Sequence, residues 1–115
     1  MKKTRCFYNT TKVATIMSKS DVAIGSGGST TWERCCLGIP AIVSIASQDQ
    51  SEATKILDSK KCIINLGKSK RVKELDYMEK INGITYNKLN KMRKNCMKIV
   101  DGNGTSRVIQ NILSI

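Results

Sequence analysis

The stretch Ser20-Asp-Val-Ala-Ile-Gly-Ser-Gly-Gly-Ser-Thr-Thr-Trp-Glu-Arg-Cys-Cys-Leu-Gly-Ile-Pro40 decides the fold of this chain. Its first part, Asp21 to Gly25, is a compact apolar run ended by glycine, which suits a strand buried in a parallel sheet. The glycine- and serine-rich turn from Gly25 to Ser29 then launches a helix that runs to about Leu37. Gly38 stands where a helix ends in the left-handed conformation, and Pro40 blocks its continuation. Ala41 to Ile45 follows as the next buried strand.

Outward from this core the same alternation continues. Upstream, Thr4 to Tyr8 carries the β-formers Thr, Phe and Tyr and is expected to be a short strand. Asn9-Thr10-Thr11 offers N-cap chemistry to a helix in which Val13, Ile16 and Met17 fall at helical spacing. Downstream, Gln48 to Ser59 is helical, with Ala53, Ile56 and Leu57 on one face, and Cys62 to Leu66 is a strand closed by Gly67. From there the pattern turns to helices alone. Val72, Leu75 and Met78 suggest a short one, and Tyr86 to about Val100 a longer one. After a break at Asp101-Gly102-Asn103-Gly104, Val108, Ile109, Ile112 and Leu113 mark a last amphipathic helix. The expected class is α/β, with all 115 residues in a single domain. The architecture is a three-layer open parallel sheet of about four strands with crossover helices, ending in two or three helices.

Composition narrows the functions. The chain carries a formal charge of +11, so nucleic acid is the first partner to consider. Its lysines are spread along the chain, however. The one cluster, Lys68-Ser69-Lys70-Arg71-Val72-Lys73, has no interleaved aromatic on which a base could stack. A solvated basic surface, assisted by a phosphate-bearing ligand, accounts for the charge better than nucleic acid does. No apolar run is long enough for a membrane span, and Met1-Lys2-Lys3 is not followed by the apolar stretch of a signal peptide. A cytoplasmic location is expected. The chain has five cysteines and no histidine, and no C-x-x-C pair. This pattern suits reduced, buried thiols better than a metal site, and no cofactor is expected.

The chemistry gathers at Gly25-Ser-Gly-Gly-Ser-Thr-Thr-Trp-Glu33. In an open parallel sheet, ligands sit beyond the carboxyl ends of the strands. Gly27 and Gly28 let backbone approach a ligand, and the amides from about Ser29 to Trp32 at the start of the helix suit phosphate. Ser26, Ser29, Thr30 and Thr31 add hydroxyls, and Glu33 has the carboxylate to accept both hydroxyls of a ribose. The turn lacks the lysine of a P-loop and matches G-x-G-x-x-G only in part. Read without function, the same residues make a tight strand–helix turn with a serine cap and a well-placed carboxylate.

Ser20 to Pro40 resembles the C-terminal lobe of the UDP-sugar hydrolases of pseudaminic acid biosynthesis, of the two-lobed glycosyltransferase fold. Phe7-Tyr8-Asn9 and Asp49-Gln50 also match that family's pattern. More distantly, Ser26-Gly27 through Glu33 is similar to the corresponding loop of the N-acetylglucosaminyltransferase that makes lipid II. The similarity spans about Phe7 to Gly67, and the string Trp32-Glu-Arg-Cys-Cys-Leu-Gly-Ile-Pro40 is its most specific part. The resemblance implies that the backbone from Gly27 to Thr30 holds the diphosphate of UDP. It implies that Glu33 binds the ribose hydroxyls and that Gln50 reaches toward the phosphates or the sugar, in surface polysaccharide or nonulosonic acid biosynthesis.

The family's catalytic histidine lies in an N-terminal lobe that this chain is expected to lack, and two strands that open the C-terminal lobe are expected to be absent as well. UDP or a UDP-sugar is therefore the expected ligand, bound without turnover. The expected partner is a chain carrying the other lobe, or a second copy joined through an unpaired sheet edge near residues 4–8. Alternatively the first strand slides in beside Val22–Ile24 and completes a smaller sheet. The competing readings are the donor-binding subunit of a split glycosyltransferase and a basic module that binds nucleic acid. Trp32 is read as packing rather than stacking on a base, and Arg34 as structural or exposed. Asp49 and Glu52 read as carboxylates favoured at a helix start, and Asp101 to Gly104 as a plain turn rather than a metal loop.

Overall fold

The computed structural model describes residues 4–114. Three strands, β1 (Ala23–Ser26), β2 (Ala41–Ile45) and β3 (Ile63–Lys68), form one parallel sheet in the order β1-β2-β3. Six helices accompany them: α1 (Val13–Ser18), α2 (Thr30–Cys36), α3 (Ser51–Ser59), α4 (Glu74–Gly83), α5 (Tyr86–Ile99) and α6 (Gly104–Leu113). Short 3-10 turns at Gln48–Gln50 and Ser69–Arg71 stand at the carboxyl ends of β2 and β3. The α/β class with crossover helices is as the sequence predicts.

Strand β2 is central, and every one of its residues is buried, as a strand covered on both faces must be. Ala41, Val43 and Ile63 share one face, where Cys35 of α2, Leu57 of α3 and Cys96 of α5 close over them with Cys62. The opposite face carries Ile24, Ile42 and Ile64 in register. From α4, Tyr77 reaches it through a hydrogen bond to the Ser44 hydroxyl at 3.1 Å. This second face is thinly covered, for Ile24 remains 53% exposed.

Three expectations need correction. Thr4 to Tyr8 forms no strand and joins no sheet, so the sheet has three strands rather than four, and its two edges are β1 and β3. The β-formers there find no neighbour: Phe7 and Tyr8 are 56% and 93% exposed, and an unpaired strand has nothing to stabilise it. The cap of α1 falls on Lys12 rather than on Asn9-Thr10-Thr11, although Thr10 Oγ1 still accepts from the Lys12 amide at 3.1 Å. Gly67 does not close β3. With φ +97° it forms an irregular step after which pairing resumes as Ile45 with Lys68, and its amide donates to Asn65 Oδ1 at 2.9 Å.

The ends of α2, α4 and α5 are closed locally. Gly38 takes φ +72° after α2, Thr85 Oγ1 caps α5 by accepting from the Lys88 amide, and Asp76 reaches back to the Lys73 amide before α4. The amphipathic α6 forms as expected. Its apolar side, Val108, Ile109, Ile112 and Leu113, lies open to solvent.

Candidate functional site

The β1–α2 turn lies between the end of β1 at Ser26 and the start of α2 at Thr30. Gly27 N–H donates to the Ser44 carbonyl at 3.2 Å, which ties the start of the turn to β2. Thr31 and Trp32 N–H donate to the Gly28 and Ser29 carbonyls at 3.0 and 3.1 Å. Of the amides expected to be free from Ser29 to Trp32, these last two are therefore spent. The amides of Gly28, Ser29 and Thr30 have no acceptor among the described residues. These three successive donors stand in a turn at the carboxyl end of a parallel strand, where open α/β sheets hold ligands.

The two glycines do different work. A Cβ on Gly27 would collide with Thr54 Oγ1, so this glycine is dictated by packing against α3. A Cβ on Gly28 would meet only Gln50 Nε2, at 3.4 Å. Gln50 itself is fixed: its Oε1 accepts from the Ala46 amide at 3.0 Å, an internal brace of the β2–α3 turn. With the oxygen committed, the amide nitrogen is the end that faces Gly28. Two loops separated in sequence thus place backbone and side-chain donors together.

The hydroxyls divide in the same way. Thr31 is buried and turned inward, its Oγ1 donating to the Ser26 carbonyl at 3.5 Å. Ser26, Ser29 and Thr30 are exposed, and their hydroxyls make no hydrogen bond among the described residues. Glu33, in the first turn of α2, is exposed and unpaired by any cation among the described residues. Trp32 keeps 41% of its surface in solvent, so its packing is partial. The structure thus brings Gly28, Ser29, Thr30 and Gln50 to one turn and puts Ser26 and Glu33 on the adjoining strand end and helix turn. Gly27 belongs to the scaffold.

Of the two roles expected of Arg34, structural or exposed, the structure shows the structural one. Its direction on α2 differs from that of Glu33 by about 100°, and that direction carries it inward against the sheet. The residue is only 9% exposed, its guanidinium packs over Gly25, and Nη1 has no hydrogen-bond partner. Burial pushes its pKa down, against the pull of the neighbouring Cys35 and Glu33.

The cysteines are free thiols. Cys35, Cys62 and Cys96 are fully buried together, and Cys96 Sγ donates to the Cys62 carbonyl at 3.3 Å. They pack the core. No group of metal-ligating side chains occurs among the described residues, and no described helix is long and apolar enough to cross a membrane. Compared with known families and with curated proteins, the chain matches none.

Proposed function

We propose that this chain binds the UDP portion of a nucleotide sugar at the β1–α2 turn, as a lobe of a hydrolase or glycosyltransferase acting in surface polysaccharide or nonulosonic acid biosynthesis. The observation that carries the reading is the meeting of Gln50 Nε2 with the turn whose Gly28, Ser29 and Thr30 amides are free. A diphosphate spans such a row of donors, and charge-assisted hydrogen bonds of this kind are about twice as strong as neutral ones. Glu33 has the acceptor chemistry for a ribose diol, and Ser26 lies at the strand end beside the turn. The resemblance of Ser20 to Pro40 to the pseudaminic acid pathway hydrolases supports uridine as the base. A cytoplasmic setting agrees with five free thiols.

Binding and turnover are separate matters here. The chain contains no histidine, and no residue of it is assigned a catalytic role. Turnover is proposed to need a partner that carries the other lobe.

Calorimetric titration with uridine, UMP and UDP tests the reading. Affinity should rise with each phosphate, because the free amides are the main source of binding. Equal affinity for uridine and UDP, or no binding of UDP at millimolar concentration, would rule it out.

A further inference from the structure

A cleft of about 600 Å³ opens at the carboxyl ends of β2 and β3. Ser47, Ser51, Lys55, Lys68, Lys70 and Arg71 line it. Its four cations come from three separate places: Lys55 from α3, Lys68 from the last position of β3, and Lys70 and Arg71 from the 3-10 turn that follows. A lysine-rich solvated face ordinarily belongs to one element, with its charges splayed apart. Here the chain turns over the end of the sheet, beyond the irregular step at Gly67, and brings the charges to one cleft.

Nothing among the described residues neutralises them. No carboxylate lines the cleft, and the single ion pair among the described residues, Arg107 with Asp101, lies elsewhere. Asp49, beside the lining residue Gln48, accepts a hydrogen bond from the Ser47 hydroxyl, and Glu52, Asp58 and Glu74, each three residues from a cation of the cleft, form no ion pair with it. Four like charges around one cavity repel one another, and an anion bound between them relieves that repulsion. The position, beyond the carboxyl ends of parallel strands, is where open α/β sheets hold ligands. The lining contains no aromatic ring, so it offers no platform for stacked bases.

We propose that this cleft is an anion site that takes a phosphate or diphosphate group of a small ligand, separate from the glycine turn. The Ser51 and Ser69 hydroxyls supply hydrogen-bond donors beside the cations, while that of Ser47 is spent on Asp49. The site stands on its own residues, whether or not UDP occupies the β1–α2 turn.

Inorganic pyrophosphate titrated into the full chain, with backbone amides followed by NMR, tests it. Shifts should appear at Ser47, Ser51 and Lys68 to Arg71, and saturate independently of any at Gly28 to Thr30. The double variant Lys68→Ser/Lys70→Ser should bind pyrophosphate about tenfold more weakly in the cleft. Lys88→Ser/Lys91→Ser, which removes the same charge from α5, should change that affinity by less than about twofold. Absence of shifts in the cleft, or equal losses in both double variants, would overturn the proposal. So would a random oligonucleotide that saturates the cleft at lower concentration than pyrophosphate. UDP shifts at Gly28 with none from pyrophosphate in the cleft would sink this proposal alone; the reverse pattern would sink the UDP reading alone.

Discussion

Thr54 fills the space that a side chain on Gly27 would need, and its hydroxyl donates to the Gln50 carbonyl at 2.6 Å. One buried threonine of α3 thereby holds the β1–α2 turn and the β2–α3 turn at a fixed spacing. Gly27→Ala forces that contact apart and should destabilise the fold by about 1–3 kcal/mol. Urea denaturation measures the loss, and adding Thr54→Ala to Gly27→Ala should recover part of it. If Gly27→Ala is as stable as the parent, the packing account of this glycine is wrong.

Gln50 allows binding to be separated from folding. Gln50→Glu keeps an oxygen for the Ala46 amide but replaces the donor that faces Gly28 with a second acceptor. The melting midpoint should hold, while UDP affinity falls at least about tenfold as a carboxylate meets a diphosphate. An unchanged affinity would remove Gln50 from the site.

Arg34 should be replaceable with profit. Its guanidinium is buried over Gly25 with Nη1 unpartnered, and a buried, incompletely paired charge is costly to the fold. Arg34→Met conserves the long apolar stem and removes the charge. We expect the variant to be as stable as the parent or more stable by about 1–2 kcal/mol in urea denaturation. A loss of more than about 1 kcal/mol would mean that the charge is satisfied in solution.

These features differ in how far the sequence revealed them. The run Ala41 to Ile45 and the pair Gly38 and Pro40 were legible because local chemistry alone determines them: a wholly apolar strand, a left-handed helix end, a block to continuation. Thr4 to Tyr8 was misread because strand propensity has no effect without a neighbour to pair with. The passage of β3 through Gly67 was hidden because an irregular step exists only relative to the register of the partner strand. The glycine turn was visible as composition. The division between Gly27, set by Thr54, and Gly28, facing Gln50, required the packing of α3. The basic cleft was half visible, since Lys68 to Arg71 is a run in sequence. Lys55, thirteen residues before Lys68, joins it only through the fold.

Two of the three buried thiols, Cys62 and Cys96, set a ceiling on alkaline stability, whereas a hydrogen bond with Cys96 holds Cys35 below its ordinary value. Burial pushes the Cys62 thiol up, and a hydrogen bond with Cys35 together with burial pushes Cys96 up. An unfolded cysteine ionises near pH 8.5. Above that pH the unfolded chain releases protons that the folded chain retains, so stability must fall as pH rises. The expected slope is about 1.4 kcal/mol per pH unit for each thiol held protonated. Urea midpoints between about pH 8.5 and 9.5, taken under reducing conditions, should decline as pH rises. A midpoint that stays level through pH 9.5 would contradict the buried, protonated state of these thiols.

The central claim is that the β1–α2 turn and Gln50 together receive UDP. Its most direct test is a titration of UDP into the isotopically labelled chain, following backbone amides and the Gln50 side-chain amide. The account predicts saturable shifts concentrated at Gly28, Ser29, Thr30, Glu33 and Gln50, with Gly28 to Thr30 moving furthest because their N–H groups are free to bind phosphate. Shifts confined to other surfaces, or none with UDP at millimolar concentration, would contradict it.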